Sequence, residues 1–456
     1  MAVRQQKYSG GLEMIGTAAS VDVIDLSSRE IRRAVLASII GNGLEWFDFI
    51  VIGSFVTLIA DAYFPNSSPA VSILQTLGAF AAGFIVRPFG GILLGVYADR
   101  AGRRAALSLL IILMAAGTLL IGITPGYREI GIAAPIIFVC ARVLQGLSVG
   151  GEFSSAAAML VEYAPPKQRM FYGSFEMASQ GFALLVGSLF AFALARMLTH
   201  AQLQAWGWRI PFIAGSLIGP LGFYIRHHVA ESPVLHNLQE RHALLPRDAF
   251  APYFAKHKAA LFCGIGIIVV GAALNFLWHG YMPLYVTRHL HLPLYAALFG
   301  NSASGLIAVI GYPLVGKLAD RVGAYRVFFP TVIVFAFAAF PLYRFVAVDP
   351  TIQRLFIAQI VASLFLTLMS GPHPGMLTAL FPARVRATGV AISYNIAVTF
   401  FGGMAPLIVT WLSGKIGGDG APAGFQVLAA LISLALVATM LPRARRMLAA
   451  EEASQA

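Results

Sequence analysis

Charge is what this sequence most lacks. Only 11% of its 456 residues are charged, while 58% are hydrophobic, and soluble domains carry roughly a quarter charged residues. A water-soluble fold of this length would have too little polar surface to cover it, so that class is excluded. Cysteine is nearly absent as well. Cys140 and Cys263 both sit in apolar runs, which leaves neither a disulfide framework nor a thiolate metal cluster to build and suits two small buried hydrophobes. Residues 1–30 contain no apolar core of a cleavable secretory signal, so the first apolar segment must itself direct insertion. No zincin motif, serine–histidine constellation or phosphate loop occurs, and GVYADRAG lacks the strand context of a nucleotide fingerprint. An enzyme is therefore not expected, nor a cofactor or a metal.

What is present is a succession of long apolar stretches. Twelve spans can be drawn, at 34–60, 71–97, 105–124, 132–160, 171–198, 208–226, 258–286, 294–317, 328–346, 354–378, 387–412 and 422–442. Each is long enough to cross a hydrocarbon core of about 30 Å at about 1.5 Å per residue. Lipid offers no partner for backbone polar groups, so the spans must be helices. The expected fold is an all-α membrane protein with twelve transmembrane helices in two six-helix bundles.

The basic residues orient this chain. Its net charge of +12 could suggest a nucleic-acid partner, but 23 of the 32 Lys and Arg residues fall on one alternating set of span ends. That asymmetry is the positive-inside bias; it places both termini in the cytoplasm and argues for lipid rather than nucleic acid as the surrounding partner. The organisation read from it is a tail over 1–32, a bundle over 33–226, a cytoplasmic linker over 227–257, a second bundle over 258–442 and a tail over 443–456. The linker carries His227, His228, His236, His242 and His257 without the spacing of a metal site, and reads as a solvated connection.

A repeat ties the two bundles together. The stretch RPFGGILLGVYADRAGRR at 87–104 returns as GYPLVGKLADRVGAYR, with Gly90, Gly95, Ala98, Asp99, Arg100 and Gly102 matched by Gly311, Gly316, Ala319, Asp320, Arg321 and Gly323 at one offset of 221 residues. An offset near half the chain means two copies of one architecture. Small residues such as Gly146 and Gly150 are spaced to let helix backbones approach closely in lipid.

Ionisable groups inside a span cost about 2.5–3.5 kcal/mol each, which makes them functional candidates. Here they are Glu45, Asp48, Arg87, Arg142, Glu152 and Glu176. Glu45 and Asp48 are i and i+3, on one helix face, about 18 and 22 Å along span 1 from Arg33. Two carboxylates so close do not both ionise readily unless a cation is near. Arg87 lies at similar depth, either as a structural counter-ion to that pair or as the group that engages substrate while a carboxylate exchanges its proton. Arg142, with Gln145 at i+3, cannot shed its proton and must find a carboxylate or substrate. Two guanidiniums at membrane depth suit bidentate binding of an organic anion, although internal pairing would also account for them. Glu176 lies near the start of span 5, where it can snorkel to the surface; Gln180, one turn deeper, is the better cavity candidate. The second bundle offers Asn275, His279, Tyr281 and Tyr285 in span 7, His373 within the helix-breaking GPHPG of span 10, and Tyr394 and Asn395 in span 11.

The paired ADRAGRR and ADRVGAYR turns, with Arg142-x-x-Gln145-Gly146-x-x-x-Gly150, resemble the major facilitator superfamily. GNGLEWFDF (41–49), GFIVRPFGG (83–91), RVLQGLSVGGE (142–152) and WGWRIPF (206–212) together resemble its metabolite:proton symporter family, whose members carry citrate, α-ketoglutarate, shikimate, or proline and betaine. The resemblance runs from about residue 33 to 442. It implies two pseudo-symmetric bundles around a central cavity that opens alternately to each side. It also implies that Asp99 and Arg103 belong to a cytoplasmic latch with Gly95, Arg100, Gly102 and Arg104. Asp320 and Arg321 would be the second-half counterpart, weakened because AYR at 324–326 departs from the usual basic pair, and Arg142 falls on a position linked to proton coupling. FFGGMAPLIVTWL (400–412) and GGDGAP look most like the citrate and tricarboxylate members, whereas EWFDF is shared with the α-ketoglutarate and osmolyte branches. The tail RARRMLAAEEASQA lacks the heptads of the osmolyte branch.

The expectation is a monomeric, multi-pass transporter of the inner (cytoplasmic) membrane that imports a small di- or tricarboxylate with protons. Glu45, Asp48, Glu152 and Arg142 would handle the proton. Arg87, Arg142, Gln180, Asn275, His279, Tyr281, His373, Tyr394 and Asn395 would meet the substrate. The alternative is proton-coupled uptake of a zwitterion such as proline or betaine, or of another organic acid such as shikimate.

Overall fold

The computed structural model describes residues 42–43, 45–90, 103–227, 247–416 and 420–455. Among these residues every regular element is helical, as backbone satisfaction in lipid requires. Span 1 comprises Glu45–Ser54 and Val56–Tyr63. The first bundle continues with Pro69–Gly90, Arg103–Ile123, Ala133–Glu162, Pro166–Met197 and Ile210–His227 as spans 2 to 6. Spans 7 to 12 are Lys258–Arg288, Leu294–Val322, Ala324–Ala347, Ile352–Thr378, Arg386–Lys415 and Gly420–Glu451. Large apolar side chains stand exposed along the outer faces, Leu217 at 71% and Phe337 at 80% among them, as suits a surface that meets acyl chains rather than water.

Local chemistry accounts for several ends. Pro69 opens span 2 directly after Ser68, where its missing N–H costs nothing and its φ suits the helix. Thr351 caps span 10 by accepting from the Arg354 N–H. Gly323, the repeat glycine between spans 8 and 9, has φ +95°, in the region that favours glycine.

Three features depart from straight, continuous spans. Span 1 bends by 75° at Phe55, whose N–H is shared between the carbonyls of Val51 and Ile52 at 3.1 and 3.2 Å. Spans 7 and 11 each contain a π-helical turn, Phe276–Tyr281 and Thr399–Gly403, a form that concentrates at functional positions. The final helix continues past 442 to Gln455, and the linker contains a helix, Arg247–Lys256. That helix reaches the chain end, where the Tyr253 hydroxyl donates to Glu451 at 3.1 Å.

The two halves close on each other through small residues. A Cβ on Gly53 of span 1 would lie 2.8 Å from the Gly280 carbonyl of span 7, and a Cβ on Gly305 of span 8 would strike the backbone of Leu185 in span 5. Spans 5 and 8 run antiparallel along their whole lengths. Arg196 sits 5.0 Å over the Tyr295 ring at one end, and Asp320 meets the first turn of span 5 at the other. Within the first half, Gly83 and Gly146 bring the backbones of spans 2 and 4 together so closely that a Cβ on Gly146 would overlap the Gly83 carbonyl.

Candidate functional site

Four of the six in-span charges form two buried pairs inside the first half. Arg87 Nη2 lies 3.1 Å from Glu45 Oε1, and Arg142 Nη1 lies 3.2 Å from Asp48 Oδ2. The second pair belongs to a closed ring of hydrogen bonds. Arg142 Nη1 also donates to Gln145 Oε1 at 2.5 Å, Gln145 Nε2 donates to Thr118 Oγ1 at 2.9 Å, and Thr118 Oγ1 donates to Asp48 Oδ1 at 3.0 Å. The guanidiniums rest on aromatic faces, Arg87 4.1 Å from the Phe84 centroid and Arg142 4.8 Å from that of Phe80, a favourable cation–π placement. Neither cation is saturated: Arg87 Nε and Nη1 and Arg142 Nε are buried without a hydrogen-bond partner.

Helix geometry explains why these charges are not part of the cavity wall between the halves. At about 100° per residue, Trp46 and Ile50 point well away from Glu45 and Asp48. The aromatic and aliphatic face reaches the cavity between the halves, and the acidic face meets Arg87 and Arg142.

Glu176 differs from its expected place. It is fully buried at 0% exposure rather than snorkelling to the surface, because span 5 is covered at this level by the second half. Its Oε2 accepts from Gln180 Nε2 at 3.4 Å, while Oε1 has no partner. Glu152 opens the helix Glu152–Glu162, after the break at Gly150 and Gly151 in span 4.

A narrow cavity between the halves is lined by Trp46, Ile50, Gln180 and Leu184 from the first half and by Asn275, His279, Ser304, Tyr312, Ser363 and Leu366 from the second. Gln180, Asn275 and His279 thus line this cavity from opposite halves. Arg87, Arg142, Tyr281, His373, Tyr394 and Asn395 are not among the lining residues. Tyr394 stacks on Phe153 with centroids 3.7 Å apart, and Asn395 Nδ2 donates to the Gly150 carbonyl at 2.7 Å; both contacts join the halves. His373 is buried beside Phe328 with Nε2 unpartnered, and Tyr281 packs near Tyr285. Tyr312, Ser304 and Ser363 are newly placed at the cavity. Behind them lie Asn301 and Gln359, fully buried polar groups whose cost in lipid is the sequence signal that marks them.

Two further contacts tie the halves together at the end that carries the basic loops. Asp320 accepts from the backbone N–H groups of Met170 and Phe171, each at 2.9 Å, where a helix N-terminus favours an anion. Arg386 Nη1 donates to Glu162 Oε1 at 2.8 Å. Arg321 is exposed. Gly95, Asp99, Arg100 and Gly102 lie outside the described residues, as do the side chains of Arg103 and Arg104 at the start of span 3.

Comparison with known proteins agrees with this architecture. The family model described as Major Facilitator Superfamily matches residues 39–352. The citrate-proton symporter of Salmonella typhi is 33% identical over 413 residues, covering 91% of this chain and 94% of that protein. A putative proline/betaine transporter of Staphylococcus haemolyticus is 32% identical over 419 residues, covering 90% of this chain and 87% of that protein. Among solved structures, the proton:xylose symporter XylE bound to 6-bromo-6-deoxy-D-glucose superposes with a TM-score of 0.71 at 20% identity, over 90% of this chain and 97% of that one. At that identity the likeness concerns the fold.

Proposed function

The chain belongs to the Major Facilitator Superfamily, and from that premise we propose that it imports a small organic di- or tricarboxylate with protons by alternating access. It is a multi-pass membrane transporter and not an enzyme, and proton symport is what its citrate-carrying relatives are named for. The observation that carries the anionic substrate is the pair of incompletely satisfied guanidiniums. Arg87 and Arg142 each keep a buried N–H without an acceptor, a costly arrangement that an arriving carboxylate relieves.

Coupling then follows from partner exchange. When a substrate carboxylate engages a guanidinium, the displaced Glu45 or Asp48 loses its cation and takes up a proton, since an unpaired buried carboxylate is expensive. Glu152 and Arg142 belong to the same proton-handling group, and Glu176 joins it because it has no cation partner among the described residues. Gln180, Asn275 and His279 contact the solute. Tyr281, His373, Tyr394 and Asn395 come to it as the halves part, and Asp320, Arg321 and the repeat around Asp99 hold the basic end shut. Both termini are cytoplasmic, and the working unit is the monomer.

A zwitterion such as proline or betaine is the second reading. It is favoured by Trp46 in the cavity wall, a good face for an ammonium, and by the lack of Arg or Lys among the lining residues. Proteoliposome uptake of labelled citrate and α-ketoglutarate under an imposed pH gradient tests the first reading. Accumulation is expected only with the inward proton gradient, and accumulation indifferent to the gradient defeats symport. Competition by betaine and proline without competition by organic acids selects the second reading.

A further inference from the structure

The second-half wall of the cavity has a hydrogen-bonding polarity that narrows the substrate. His279 sits in the π turn of span 7, and its Nδ1 lies 2.8 Å from Asn275 Oδ1. An amide oxygen only accepts, so in the neutral ring Nδ1 carries the hydrogen and Nε2 the lone pair. Nε2 lies 3.4 Å from Ser363 Oγ, and both residues line the cavity. Between them the two groups hold one hydroxyl hydrogen against an imidazole lone pair and two hydroxyl lone pairs.

The ring is held in this presentation from behind. Asn301 Nδ2 donates to the His279 carbonyl at 2.9 Å, and Gln359 Nε2 donates to Asn301 Oδ1 at 2.8 Å. Ser304, also lining the cavity, directs its hydroxyl hydrogen to the Gln359 carbonyl at 3.4 Å, which leaves its lone pairs outward. Across the cavity, Gln180 Nε2 gives one of its two hydrogens to Glu176, and the same amide pairs with the Tyr394 side chain. The wall thus sets acceptors at His279, Ser363 and Ser304 beside donors at Asn275 and Tyr312. A fully ionised polycarboxylate with no other polar group offers acceptors alone and has no hydrogen for the first three.

We propose that His279, positioned by Asn275 and accompanied by Ser363, accepts a hydrogen bond from a substrate hydroxyl, so that this transporter selects hydroxy-carboxylates over deoxy or oxo analogues of the same size and charge. The inference rests on the carboxylate reading above and deepens it. The hydroxyl faces His279 and Ser363, and within this cavity the carboxylates are left to Asn275 Nδ2 and the Tyr312 hydroxyl. Asn301 and Gln359 are positioning residues.

The test is competition against labelled citrate uptake in proteoliposomes, using matched pairs: unlabelled citrate against tricarballylate, which lacks the hydroxyl, and malate against succinate and oxaloacetate. The hydroxylated member of each pair is expected to compete at a concentration about tenfold or more below its partner. His279→Phe should close that gap by weakening the hydroxylated member alone, while His279→Gln, which retains an acceptor, keeps part of it. If His279→Phe does not fold, Asn275→Leu serves, because it frees the ring to take the other tautomer and should narrow the same gap. Equal competition by both members of each pair in the unmodified protein overturns the hydroxyl inference and leaves the carboxylate reading standing. If labelled citrate is not taken up and no organic acid shifts the melting temperature, while betaine or proline does, the carboxylate reading has failed, and this inference with it.

Discussion

Arg142 of span 4 reaches Asp48 of span 1 at 3.2 Å, yet keeps its Nε buried with no acceptor. The pair is therefore linked to stability and to transport in different ways. Breaking it from one side leaves an uncompensated buried charge, a loss of about 3–5 kcal/mol. Asp48→Asn should lower the melting temperature in detergent and abolish uptake. Asp48→Asn combined with Arg142→Gln should recover much of the thermal stability and none of the uptake. Restored uptake in the double variant would show that the pair is only a structural tie.

Glu176 offers a separate handle on the proton. The side chain is wholly buried, with one carboxylate oxygen unpartnered and no ion pair among the described residues, so Glu176→Gln keeps its shape and removes only the ionisable group. Substrate counterflow, which needs no net proton movement, should persist near its normal rate. Accumulation driven by a pH gradient should collapse. Equal loss of both activities would place Glu176 in substrate binding instead.

At the basic end, Glu162–Arg386 and the seat of Asp320 on the start of span 5 hold the halves together. Each is partly exposed, so each contributes about 1 kcal/mol, enough to change a two-state population roughly fivefold. Asp320→Asn with Glu162→Gln should speed labelling of a cysteine introduced by Ser363→Cys when a membrane-impermeant thiol reagent is applied from that end. Unchanged labelling would mean that other contacts hold the closed arrangement.

The glycine seams predict a steric effect. A Cβ at Gly305 meets the Leu185 backbone, which cannot yield as a flexible side chain can. Gly305→Val should drive spans 5 and 8 apart, with loss of counterflow and retention of helical content by circular dichroism. Normal counterflow would show that the closed seam is dispensable.

Much of this was legible from residue order. Apolar length and the scarcity of charge marked the membrane class, and the 221-residue repeat marked the two halves. The cost of charge in lipid picked out Glu45, Asp48, Arg87 and Arg142, all of which prove to be buried at low exposure. GPHPG correctly marked an interruption, since span 10 breaks between Ser370 and His373. The π turns of spans 7 and 11 were not legible, because the apolar pattern of a span is the same whether one turn is α or π. Glu176 was misplaced because depth along a helix says nothing about what covers it.

Hydropathy and insertion cost are properties that each stretch of about 20 residues carries alone, so order along the chain sufficed for the spans, their number and the list of charges within them. Which carboxylate meets which guanidinium is a matter of helix rotation and of neighbours brought from far along the chain. Tertiary structure alone set Glu45 against Arg87 and Asp48 against Arg142. It also kept those pairs out of the cavity wall and set His279, Asn275 and Gln180 to face the space between the halves.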